Sequence, residues 1–173
     1  MLKSEIRILP DFFDRYINLV EDIDVVEGLK KFSPEVIFSD QLVLKALGDK
    51  VYAPGKWTIT EILQHCIDTE RIMGYRALRF ARNDKTQLPG FDEELFAANA
   101  EAADRTFDDL LAEYTRLRQS TIDLFTSFTD EMLQRRGATY VSEIDVLSLG
   151  FVIIGHAIHH NKIIIDRYYS LLD

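Results

Sequence analysis

Apolar residues return every three or four positions through four long segments of the chain, and this spacing constrains the fold more than any other feature of the sequence. A residue advances about 100° around a helix axis, so such spacing gathers apolar groups on one face. The first segment runs from just after Pro10 to about Glu27, with Phe12, Tyr16, Leu19 and Ile23 on one side. A second opens at a capping box, Thr58-Ile59-Thr60-Glu61, and extends to about Asn83. A third spans Ala102 to Phe128. The fourth opens at a second capping-box pattern, Ser142-Glu143-Ile144-Asp145, and continues to Ser170. Between the first two, "SPEVIF" offers Ser33 as N-cap and Pro34 at the first helical position of a short helix. The spacing predicts an all-α four-helix bundle. Its connections are long enough to cross a bundle end, so simple up-down-up-down order is not required.

Size and charge narrow the function classes. At 173 residues and 47% hydrophobic content the chain suits one domain over residues 1–173 with a substantial core. Twenty basic against 29 acidic side chains give a net charge of −9, which opposes binding to a phosphate backbone. The local basic cluster "RALRFAR", Arg76 to Arg82, reads as a solvated helix face, and no nucleic acid is expected as a partner. The longest uncharged run, Val146 to Asn161, is shorter than a membrane span and carries three histidines. The N-terminus lacks the apolar core of a signal peptide, and a single cysteine, Cys66, excludes an internal disulfide framework. The expectation is a cytoplasmic protein with no membrane partner.

All four histidines lie on two apolar segments. His65 sits in "WTITEILQHCIDTE", while His156, His159 and His160 sit in "GFVIIGHAIHHNKIII". His156 and His160 are one helical turn apart and project alike, as two imidazoles must to reach one metal ion. His65 shares its face with Ile62, Thr69, Ile72, Arg76 and Phe80, so it points into the bundle as a third ligand. Three nitrogen ligands leave open positions for water or substrate. His159 projects away from the pair and could replace or support a member, but is the weaker candidate.

The position of a protease general base between the histidines holds Ala157, so the His-Glu-x-x-His mechanism does not apply. Acid assistance would have to come from Asp68 beside the inward face of the second helix, or from Asp92 or Glu93 after Pro89-Gly90. Arg76 lies on the His65 face; a guanidinium there is either paired with an acid or reserved for an anionic group of a substrate. Cys66 reads as a small packing residue. Gly150 and Gly155, costly inside a helix, point to close approach of another backbone. The fourth helix is apolar on both sides, so its second face packs on loop segments or on another copy of the chain.

Three stretches, "GKWTITEILQHCIDTERIMGYRALRFAR" (Gly55 to Arg82), "LPGFDE" (Leu88 to Glu93) and "GHAIHHNKII" (Gly155 to Ile164), resemble the DinB family in content, order and spacing. The resemblance covers the chain from about Lys50 onward. It implies an up-down-down-up four-helix bundle, often a homodimer, that binds a divalent metal through residues matching His65, His156 and His160. It also implies thiol-dependent transferase or metal-dependent hydrolase activity.

Pattern and resemblance together lead to one expectation about function. Zinc or nickel on the three histidines activates water or a low-molecular-weight thiol against a small electrophilic substrate, with Arg76 and Asp68 as the assisting residues. The alternative is a non-catalytic, stress-linked bundle whose metal site is structural.

Overall fold

The computed structural model describes residues 1–140 and 142–172. Its helices are α1 (Asp14–Ile17), α2 (Val25–Lys31), α3 (Pro34–Ile37), α4 (Gln41–Leu47), α5 (Ile59–Ala81), α6 (Glu93–Asn99), α7 (Phe107–Thr126), α8 (Asp130–Leu133) and α9 (Val146–Arg167). A small antiparallel hairpin pairs β1 (Arg136–Ala138) with β2 (Glu143–Asp145). The N-terminal segment with α2, then α5, α7 and α9, form the four-helix bundle.

Cross-helix contacts fix the directions. Between α5 and α7, Arg105 reaches Gln64, Arg71 reaches Glu113 and Arg118 reaches Glu70, so residue numbers rise together and the two helices are parallel. Between α2 and α9, Gly150 faces Val25 and Gly28 faces Ile154, again parallel. α5 runs against α9: His65 meets His156, while Phe80, fifteen residues on, lies against Gly137 just before α9 begins. The order is therefore up-down-down-up, as the resemblance implies.

Helix α5 begins where its sequence says it should. The Thr58 hydroxyl accepts from the Glu61 N–H, and the Glu61 carboxylate accepts from the Thr58 N–H at 2.7 Å, satisfying two orphan donors. Ser33 and Pro34 likewise open α3, although Ser33 makes no side-chain cap.

Three boundaries differ from the sequence reading. The first expected helix is broken in two, because Met1 to Lys3 pair with Ile23 to Val25 and Asp24 caps α2 through the Val26 and Glu27 N–H groups. The third helix starts at Phe107, five residues late, because Thr106 caps the Asp109 N–H. The fourth starts at Val146: Asp145 is its cap, accepting from the Ser148 N–H at 2.6 Å, while Glu143 to Asp145 pair with β1.

Two core clusters divide the interior. One joins the N-terminal segment, the hairpin, the later half of α5 and the early half of α9. The other joins α3, α4, the early halves of α5 and α7, and the later half of α9. A buried ion pair pins the middle, where Arg118 donates to Glu70 through Nε (3.0 Å) and Nη2 (2.7 Å), and through Nη1 to the carbonyls of Leu29 and Phe32. Gly155 of α9 admits the α1 backbone, since a Cβ there would lie 2.0 Å from the Tyr16 carbonyl oxygen. Gly150 does not serve backbone approach. Its missing Cβ makes room for the Val25 and Phe125 side chains.

Candidate metal centre

His156 lies near the junction of the two core clusters, between Ile154 of one and Ala157 of the other. Its Nε2 faces the Nε2 of His65 at 3.0 Å and that of His160 at 3.2 Å. One ligand atom from each of the three histidines falls within 4.8 Å of the others. His65 and His156 are buried and His160 is half-buried.

An imidazole nitrogen offers either one lone pair or one hydrogen in the ring plane, so His156 Nε2 cannot make two good hydrogen bonds at once. A shared cation resolves that conflict. Metal to histidine distances of about 2.0–2.1 Å place two nitrogens on the same ion roughly 2.9–3.4 Å apart at ordinary ligand angles, which both close separations match.

Electrostatics agree with ligation. Burial lowers His65 to about 4, and burial with the neighbouring charges of His65 and His159 lowers His160 to about 3. His156 lies well below the usual imidazole range, from burial first and then the charges of the other three histidines. All three are neutral near pH 7, the form that binds a metal. Among the described residues the cluster contains no cysteine or carboxylate.

Two aromatic rings hold the imidazoles. Trp57, immediately before the α5 cap, lies against His65 at 4.7 Å between centroids and stacks on His160 at 6.4 Å. Its carbonyl accepts from the Tyr168 hydroxyl at 2.6 Å, which ties this loop to the end of α9. Tyr16 presents edge contacts to His156 (5.3 Å) and His159 (5.4 Å). Burial raises the Tyr16 hydroxyl, so it is a neutral phenol. The sequence reading missed Trp57 as a site residue and assigned Tyr16 only to an apolar face. The available signal was the chain's single tryptophan standing two helical turns before His65.

Access comes from one side. A cleft of about 180 Å³ beside His160 is lined by Trp57, Lys56, Glu94 and Tyr168, among others. Glu94 comes from α6, whose other face borders a larger cleft of about 540 Å³ with Gln64 and Asp68. Asp68 accepts from Gln64 at 3.0 Å and lies 3.6 Å from Arg71, and burial raises its carboxyl. Arg76 lies in a third pocket, with Glu93. The histidine trio is thus assembled, while Asp68 and Arg76 line pockets that contain none of the three histidines. Asp92 caps α6 through the Leu95 N–H. His159 stands beside the trio on Tyr16, and Cys66 is a buried packing residue whose thiol burial pushes up.

The model of the DinB superfamily matches residues 39–164, which include all three histidines. The chain belongs to the DinB superfamily. A solved structure similar to this DinB chain is YfiT from Bacillus subtilis, a probable metal-dependent hydrolase with an unusual four-helix bundle topology. The two share 18% identity over 92% of this chain and 87% of YfiT, with a TM-score of 0.63, which establishes the common fold. No curated protein matches the chain. Among its described residues no helix is long and apolar enough to cross a membrane.

Proposed function

We propose that this DinB chain is a divalent-metal-dependent enzyme, a hydrolase or a thiol S-transferase acting on a small electrophilic molecule. The observation that carries the reading is the convergence of His65, His156 and His160 at 3.0 and 3.2 Å beside an open cleft. When bound, zinc or nickel acts there as a Lewis acid that brings water or a small thiol to its anionic, nucleophilic form near neutral pH.

The chain's own residues supply the rest. Trp57 and Tyr16 restrict the imidazole planes, holding the three nitrogens in place before a ligand arrives. The missing general base has a replacement in the cleft itself, since Glu94 borders the space beside His160 and is placed to accept a proton from an incoming nucleophile. Lys56 on the same wall suits an anionic leaving group. The absence of a carboxylate within the described trio favours a second reading, a non-catalytic metal site, and Glu94 separates the two.

Elemental mass analysis of untagged protein, beside a His156→Ala, His160→Ala double variant, tests the metal. Near-stoichiometric zinc or nickel in the first and none in the folded second is the expected result. Consumption of a small thiol with a bromobimane electrophile, or hydrolysis of a nitrophenyl ester, should then require the metal and fall sharply in Glu94→Gln. Metal retention with unchanged background rates in both assays would leave the non-catalytic reading.

A further inference from the structure

Among the described residues two guanidinium groups are buried, and only one of them is paired with a carboxylate. Arg118 is bound to Glu70 and to two carbonyls. Arg76 is only 5% exposed, yet its Nη2 donates to the Pro89 carbonyl at 2.9 Å and its Nη1 faces the Met73 sulfur at 3.5 Å. Among the described residues no carboxylate lies within ion-pair distance of it. A guanidinium carries five N–H donors and keeps its proton inside proteins, so a full positive charge stands here with most of its donors unused. Burial alone moves its pKa, downward, with no acid contributing.

This charge borders a pocket of about 270 Å³, several times the roughly 30 Å³ of one water. Phe12, Phe13, Met73 and Phe91 give the pocket apolar and aromatic walls, and Tyr140 stands at its exposed rim. The one acid lining it, Glu93, is largely exposed; burial and then Glu94 raise its carboxyl, and the cation that acts on it is Arg15, not Arg76. Phe12 is held at φ 72°, a left-handed conformation rare for a bulky residue, with Arg15 over its ring at 3.9 Å.

We propose that this pocket binds a small monocarboxylate with an aromatic or aliphatic body, its carboxylate on Arg76 and its body against Phe12, Phe13 and Phe91. One buried cation among mostly apolar walls, with the only lining acid, Glu93, exposed, matches one negative charge on an apolar molecule, whereas a phosphate dianion would meet too little positive charge. The site is separate from the trio. The guanidinium reaches back along α5 only as far as Met73, which stands eight positions, about 12 Å of helix rise, beyond His65. The inference therefore stands whether or not the histidines serve catalysis.

The test is calorimetric titration with benzoate, benzamide and inorganic phosphate, on protein with and without zinc. Wild type should bind benzoate at roughly millimolar affinity or better, and benzamide about tenfold more weakly or not at all. Binding should vanish in Arg76→Met and persist in the His156→Ala, His160→Ala double variant. Arg76→Met should still fold, because it replaces an unpaired buried charge by an apolar chain of similar length. If that variant is unfolded, Arg76→Gln and a benzoate-induced shift of the wild-type Arg76 Nε resonance provide the reading instead. The proposal is overturned if benzoate and benzamide bind alike, if phosphate alone binds, if benzoate binding survives loss of Arg76 or disappears only with the histidines, or if benzoate does not bind at all.

Discussion

Two of the polar side chains that helix α5 buries, His65 and Glu70, stand five residues apart and are treated in opposite ways. Glu70 meets Arg118, whose guanidinium is further occupied by the Leu29 and Phe32 carbonyls. Nothing in that cluster asks for another partner. His65 meets two more imidazoles, and the Nε2 of His156 faces the Nε2 of both others, a demand that one ring nitrogen cannot meet by hydrogen bonding. A buried polar group that is fully paired fixes structure, while one arranged to be incomplete points to a ligand. Glu70 and His65 are both buried, so burial alone does not distinguish a strut from a site.

The sharpest way to break this comparison is to remove the carboxylate. Glu70→Ala should cost about 3–5 kcal/mol, because it leaves the Arg118 charge buried and unpaired. The urea midpoint reads it, and a loss under about 1 kcal/mol would mean that the pair is not a strut. The trio should respond to its ligand instead. Zinc at about one hundred times its Kd should stabilise wild type by about 2.7 kcal/mol, and a chelator should reverse the gain. The His156→Ala, His160→Ala variant should show no zinc-dependent gain in the same melting experiment.

The smallest effect belongs to a half-buried counterpart of the buried pair. Arg79 donates to Asp84 just past the end of α5, and that hydrogen bond, helped by the Thr86 N–H, lowers the Asp84 carboxyl to about 2. A depressed carboxyl stabilises the folded chain above its unfolded value of 3.8, and that contribution is lost as pH falls toward 2. Asp84→Asn should therefore be slightly less stable than wild type at neutral pH. The difference in urea midpoint should close across that acid window; a gap that persists at the acid end would place its origin outside the ion pair.

Much of the fold was legible because helix signals are local. The capping box at Thr58 and Glu61 operates as written, and the spacing of His156, His160 and the inward face of His65 anticipates the cluster that the three side chains form. The same local grammar misled at Ser142 to Asp145. There β2 forms because Arg136 to Ala138 lie alongside, and a pairing partner cannot be read from four residues. The break before α2 has the same cause, since Met1 to Lys3 provide the pairing. Trp57 and Tyr16 reach the histidines, and Glu94 lines the cleft beside His160, from three separate segments that only tertiary packing brings together. The partner of Arg76 was expected to be an acid or a ligand; the protein itself contributes the Pro89 carbonyl.

Gly155 precedes His156 by one residue, and at that point α9 seats directly on the α1 backbone. Side chains can be repacked by a change of rotamer, but two backbones in contact have no such adjustment. A backbone-to-backbone contact is therefore adjacent to the imidazole that faces both of its fellows. A coordination site functions only within a positional tolerance of about half an ångström. By resting the central histidine against a rigid stop, the chain can accept drift in its loops and surface without losing the alignment of the other two.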